Sequence, residues 1–286
     1  MKVLPFKVPK PQHDGLIYQE DHEHIFYDKL HQHEEIQISY IQKGRGTLIV
    51  GDTVSDYDSG DIVIIGSNLP HVFKSELNTD VKSVMLTLFF TRAAFGSDFF
   101  DVEELRLTRV FFKKSLYGFK IHGASKTLKS LFLQLHSASK MQRFILFLDI
   151  LKHISKAKTS ALSTYKYDKQ FSDDEGKRMR EIMAYTTENF HRLITLDDIA
   201  NVANMTKNAF CKYFKKRTNK TYFRFLNELR IEHASKLLSS NSDYAIAEIA
   251  ELSGFNNLSN FNRTFKKIKG DTPSHYFKQY IKLNAL

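Results

Sequence analysis

The chain has 286 residues, 42% of them hydrophobic, enough for more than one ordinary core, and it carries 42 Lys and Arg against 32 Asp and Glu, a formal charge of +10. That excess favours an anionic partner without naming one. A single cysteine excludes an internal disulfide framework, and no stretch approaches the roughly 18 uncharged apolar residues of a membrane span.

The N-terminus, MKVLPFKVPKPQHDG, has no apolar run of signal-peptide length, so the expected location is cytoplasmic. From Glu34 to about Thr91 the pattern alternates and is rich in β-branched residues. EIQISYIQKG, GTLIVGD, DSGDIVIIGS and VKSVMLTLFF read as strands separated by Gly, Asp and Asn turns, which predicts an all-β barrel or sandwich. His31 and His33 would point the same way from a strand, and a neighbouring strand end can bring His71 to them. Tyr40, Tyr57 and Phe73 are either pocket-lining or strand-packing residues.

Ser97 to His122 is mixed and yields no boundary. Lys126 to Leu135 and Met141 to Ile154 read as amphipathic helices, with Leu128, Leu131, Phe132 and Leu135 on one face, and Phe144, Phe147, Leu148 and Leu151 on the other helix's face. Such a pair packs either on the barrel or on its copy in a second subunit. Ser155 to Ser172 is polar and aperiodic and reads as a linker. Asp173, Asp174 and Glu175 suit the start of a helix running to about Phe190.

The C-terminal part holds a repeat. IANVANMTKNAFCKYFKKRTNKT (Ile199 to Thr221) matches IAELSGFNNLSNFNRTFKKIKGDT (Ile249 to Thr272), with one extra residue at the turn of the second copy. Gly254 can stop a first helix in the left-handed conformation, Asn256 or Asn257 can cap the next, and Asn219 and Gly270 can end the second helix of each copy. On the helix wheel Leu258, Phe261, Phe265 and Ile268 share a core stripe, as do Phe210 and Phe214 in the first copy. The opposite faces carry Ser259, Asn262, Arg263, Lys266 and Lys267, and Asn208, Cys211, Lys212, Lys215 and Lys216. Short hydrogen-bonding groups followed by cations are what a helix in the DNA major groove needs. Cys211 is then a small contact residue on that face rather than a redox sensor. No nucleophile–base–acid set and no glycine-rich phosphate loop occurs, so neither an enzyme nor a cofactor is expected.

These tandem copies, with the run from Gly254 to Pro273, resemble the DNA-binding domain of AraC-type transcription regulators over roughly Glu175 to Lys282. The order of the His31-Gln32-His33, Lys43 to Leu48, Gly60 to Ile65 and Pro70-His71 segments is similar to the cupin-like barrel that often precedes that domain. The tail departs from the pattern: it reads Tyr276-Phe277-Lys278, where an aromatic followed by arginine is usual, but the lysine keeps the charge. The resemblance implies an α+β multidomain chain: a sensor barrel over 1–120, a helical dimerisation segment over 121–155, a linker over 156–173, and an all-α domain with two helix-turn-helix motifs over 174–286. About Tyr222 to Leu238 would be the helix connecting the two motifs. The implied function is an effector-responsive activator that binds double-stranded DNA as a homodimer, with RNA polymerase as a further partner and no membrane. Two rival readings are a metal-dependent cupin enzyme with an accessory DNA-binding tail, and an effector-less regulator controlled by its abundance or a protein partner. Because Gln37 stands where enzymatic cupins usually place a carboxylate ligand, no tightly bound metal is expected at His31, His33 and His71.

Overall fold

The computed structural model describes residues 14–76, 81–167, 172–239 and 244–284, and the chain divides into two compact units, Met1–Arg180 and Glu181–Leu286. Residues 1–13 and the stretch 168–171 of the expected linker lie outside the described residues.

The first unit is built on two antiparallel sheets. Its strands are β1 (Ile17–Glu23), β2 (Ile36–Lys43), β3 (Gly46–Val50), β4 (Thr53–Tyr57), β5 (Ile62–Ile65), β6 (His71–Ser75) and β7 (Ser83–Phe90). Three helices and two short strands follow: α1 (Thr108–Ser115), β8 (Phe119–Ile121), α2 (Lys126–Gln134), α3 (Lys140–Ser155) and β9 (Thr159–Ala161). The six-stranded sheet has the order β1-β7-β2-β5-β8-β9, and the three-stranded sheet the order β4-β3-β6.

Strand alternation assigns each face. Ile36, Ile38 and Tyr40 of β2, Ile62 and Ile64 of β5, and Leu86, Leu88 and Phe90 of β7 form one core with Phe111, Phe132 and Phe147 from the three helices. Ile41, Val63, Ile65 and Met85, one residue out of phase, meet Leu48, Val50 and Phe73 of the other sheet. The helices thus cover the outer face of the large sheet, and the small sheet covers the inner one.

One open alternative is resolved here and one boundary corrected. Leu128, Leu131, Phe132, Leu135, Phe147 and Leu151 are buried in the chain's own core, with Phe144 and Leu148 packed against it. Of the two partners open to these faces, they pack on the sheet of their own unit. The linker also starts later than expected. Thr159–Ala161 pairs with β8 as an edge strand, and Leu162 is buried between the sheets. Beyond it, the buried carboxylate of Asp52 accepts from Ser163 Oγ at 2.7 Å and from Thr164 N at 2.9 Å.

The remaining helices are α4 (Asp173–Asn189), in which the division between units falls, α5 (Leu196–Val202), α6 (Lys207–Thr218), α7 (Tyr222–Ser239), α8 (Ile246–Leu252), α9 (Leu258–Lys269) and α10 (Pro273–Asn284). The repeat in sequence is a repeat in geometry. Asn204 (φ 52°) and Gly254 (φ 82°) are both left-handed at the turns. Met205 N donates to Ala200 O as Phe255 N does to Ala250 O, each at 2.9 Å. Asn219 and Gly270 are the left-handed stops of α6 and α9.

The first copy is held by rings. Phe210 and Phe214 pack on Tyr222, and Phe214 also on Phe225. The Tyr222 hydroxyl meets Thr186 Oγ1 at 3.0 Å, and burial raises its pKa to about 12. In the second copy Phe261 and Phe265 sit in a core with Ile231, Ala234 and Leu238 of α7. Leu258 departs from the expected stripe: at the first turn of α9 it is 45% exposed.

Candidate nucleic-acid interface

The two second helices of the repeat present their polar faces to solvent. α6 starts at the Thr206 cap, whose hydroxyl accepts from Ala209 N, and α9 at the Asn257 cap, whose carbonyl accepts from Asn260 N at 2.9 Å. With Phe210 and Phe214 fixed inward, Asn208, Cys211, Lys212, Lys215 and Lys216 face outward, and all five are exposed. With Phe261 and Phe265 fixed inward, Ser259, Asn262, Arg263, Lys266 and Lys267 do the same. Arg263 donates to Asn260 Oδ1 at 3.1 Å, one turn back on the same face.

Lys215, Lys216 and Arg217 occupy the last turn of α6, and Lys266, Lys267 and Lys269 that of α9. Cations there also complement the negative helix end, so their charge alone does not mark a base-reading role. The sequence reading missed two residues of this unit, Glu228 and Glu232 on α7. They accept from Lys220 and Lys269, respectively.

The barrel holds a second site. Among the described residues His31, His33 and His71 bring ligand nitrogens within 4.8 Å of one another. Each Nδ1 lies beside a backbone carbonyl: His31 with Lys29 O at 2.9 Å, His33 with Glu35 O at 2.8 Å, His71 with Leu69 O at 2.9 Å. A carbonyl only accepts, so Nδ1 of His31 and of His71 carries a proton and the neutral ring keeps its lone pair on Nε2, whereas His33 faces an acceptor at both nitrogens, Glu35 O at Nδ1 and Gln37 Oε1 at Nε2. Backbone bonds that fix the tautomer in this way are a usual surrounding of metal-bound histidine.

Three ring nitrogens within 4.8 Å could close on a divalent cation only by drawing together, since tetrahedral zinc needs them about 3.4 Å apart. The fourth donor does not fit as well. Gln37, 3% exposed, lies 3.1 Å from His33 Nε2 and continues through Ser39 to Thr87 in a buried chain of hydrogen bonds. A cavity of about 230 Å³ opens beside the histidines, with Gln19, Asp21 and Glu23 of β1 along one wall. Of the three aromatic candidates only Phe73 lines it; Tyr57 is in the inter-sheet core and Tyr40 under the helices.

A helix-turn-helix family model of the AraC type matches residues 199–279, and a cupin domain model matches residues 21–87. The chain is a DNA-binding transcription regulator with an AraC-type helix-turn-helix domain. This regulator is 26% identical over 273 residues to YdeC of Bacillus subtilis, described as an uncharacterized HTH-type transcriptional regulator, covering 88% of this chain and 87% of that one. It is 25% identical over 243 residues to an HTH-type transcriptional regulator of Staphylococcus aureus strain COL, where 84% of this chain spans only 31% of the relative. Among solved structures, ToxT of Vibrio cholerae aligns over 92% of the regulator and 97% of its own chain, at 16% identity and a TM-score of 0.38. Among the regulator's described residues no helix is long and apolar enough to cross a membrane.

Proposed function

We propose that this DNA-binding regulator reads its operator with the exposed faces of α6 and α9 and is an effector-responsive activator. The observation that carries the reading of DNA is the pairing itself. Two helices of matching construction each expose two short polar or cationic residues per turn around a buried aromatic pair, with one long helix between them. Such helices enter successive major grooves on one side of the duplex, about 34 Å apart. Arg263 is the residue assigned to base readout, because its fork can hold guanine O6 and N7 together. Asn208, Cys211, Lys212, Ser259 and Asn262 flank the bases, and Lys215, Lys216, Lys266 and Lys267 meet phosphates.

The test compares Arg263→Ala with Lys266→Ala on an operator duplex and a scrambled one at several salt concentrations. Arg263→Ala should cost about 1–3 kcal/mol on the operator alone. Lys266→Ala should weaken both duplexes alike and lower the salt slope by about one unit. Equal loss on both duplexes in Arg263→Ala would move that residue to the backbone and refute the assigned reading face.

The barrel cavity is the proposed effector site, acting by shifting the population of arrangements competent for DNA. Homodimerisation, contact with RNA polymerase and a cytoplasmic location belong to the same reading. For the dimer, the buried helix faces are replaced by Leu133, Met141 and Ile145, which α2 and α3 leave exposed.

The clustering of three ring nitrogens, with backbone carbonyls beside the Nδ1 atoms of His31 and His71, favours a second reading of the cavity. His31, His33 and His71 would hold a divalent cation, which would supply a Lewis-acidic anchor for an oxygen-donor effector. With Gln37 in place of a carboxylate, binding is weak. Gln37→Glu should tighten cobalt(II) binding on the order of tenfold or more, and His71→Ala should abolish it, both followed by the cobalt absorption band. No cobalt-dependent band in either the parent or Gln37→Glu would eliminate this reading.

A further inference from the structure

The central helix α7 carries two carboxylates one turn apart, one tied to the connection that leaves α6 and the other to α9. Lys220 follows the left-handed residue that stops α6, and its Nζ donates to Glu228 Oε2 at 2.6 Å. Lys269 is the last residue of α9, and its Nζ donates to both oxygens of Glu232, at 2.8 and 2.7 Å. Both pairs are largely removed from solvent, with side-chain exposures of 7 and 15% for the first and 18 and 13% for the second.

Much of the contact between α7 and these helices is apolar: Phe214 on Tyr222 and Phe225, and Phe261 and Phe265 with Ile231, Ala234 and Leu238. Apolar contact has no preferred direction and tolerates sliding of one helix along another. An ammonium seated on a carboxylate does not. Residues four apart on a helix have Cβ atoms roughly 6 Å from each other on one face, so the two anchor points are fixed by a single turn of α7. Buried ion pairs of this kind add little stability over apolar side chains of the same size; their best-attested use is to fix register.

We propose that Glu228 and Glu232 are positioning residues for DNA recognition. Through Lys220 and Lys269 they set the separation of the two recognition helices, and hence the spacing of the two base patches the protein accepts. This inference rests on the proposed reading of DNA by α6 and α9.

Its test uses the full chain and a duplex selected from a random library, together with the same duplex carrying two extra base pairs between the two protected patches. The parent protein should bind the lengthened duplex at least about tenfold more weakly. The double substitution Glu232→Met with Lys269→Met removes the direction but keeps the packing. Its melting midpoint should move by no more than about 5 °C, while the discrimination falls to about threefold or less. The charge exchange Glu232→Lys with Lys269→Glu should restore it to about tenfold. If the methionine pair does not fold, Glu232→Gln carries the same comparison. A variant that folds and still discriminates about tenfold overturns the positioning role. A parent protein that protects a single patch, or binds both duplexes equally, overturns the two-groove reading beneath it.

Discussion

Phe261→Ala should destabilise the C-terminal unit by about 3–5 kcal/mol, the cost of emptying the place of a fully buried ring. Phe261 is wholly inaccessible and packs against Phe255 and Phe265, with ring centroids 5.3 and 5.7 Å away. Besides this ring, α9 is held by Phe265, which is as fully buried, and by the Lys269–Glu232 pair. Its solvent side is polar, Ile268 is only partly buried, and Leu258 has turned outward. Loss of this ring therefore loosens the exposed polar face of α9 as well as the core beneath it. Urea unfolding followed by tyrosine fluorescence measures the effect, with Ser259→Ala as a surface control expected within about 0.5 kcal/mol of the parent. A loss below about 1 kcal/mol for Phe261→Ala would mean that α9 is held by something other than this core.

Gly254→Ala should be nearly as damaging, and the comparison with Gly270→Ala separates two causes. Both glycines are left-handed, at φ 82° and φ 80°, a conformation that costs an L residue about 1–2 kcal/mol. At Gly270 a Cβ would meet nothing within 4 Å, so that strain is the whole penalty. At Gly254 the Cβ would lie 2.4 Å from Phe190 O and 2.8 Å from Arg230 Nε. Arg230 itself donates to Phe190 O and Arg192 O, so the carbonyl cannot simply retreat. Equilibrium unfolding should therefore show a larger loss for Gly254→Ala than for Gly270→Ala, by about 1 kcal/mol or more. Equal losses would show that the backbone around Phe190 yields.

The C-terminal unit was legible because its repeat fixes the same chemistry twice. Asn204 and Gly254 answer to the same turn, and Phe210 and Phe214 to Phe261 and Phe265. What escaped is physical in origin. β1 reads IYQEDHE, without apolar alternation, because its inward residues Gln19, Asp21 and Glu23 line a cavity instead of a core. Periodicity showed which faces of α2 and α3 are buried, but not that their own sheet buries them. The stretch around Ser163 and Thr164 is polar and reads as linker, since hydropathy does not register a partner as distant as Asp52. Lys269 and Glu232 are 37 residues apart, so their pairing appears only once α7 and α9 have packed.

The Asp52 anchorage also decides where the chain can be divided. Severing the polypeptide in the apparently featureless stretch before residue 159 would strip β8 of its neighbour, leaving a row of unpaired amides and carbonyls open to any passing strand. The same cut would take three hydrogen-bond donors from a carboxylate that folding has already withdrawn from water. The isolated barrel keeps these contacts only when the break falls beyond Tyr167, whose ring packs against the inter-sheet core. In the history of such genes, a fusion joint placed there would exchange DNA-binding halves without wounding the barrel; one placed a dozen residues earlier would hand on a sticky fragment.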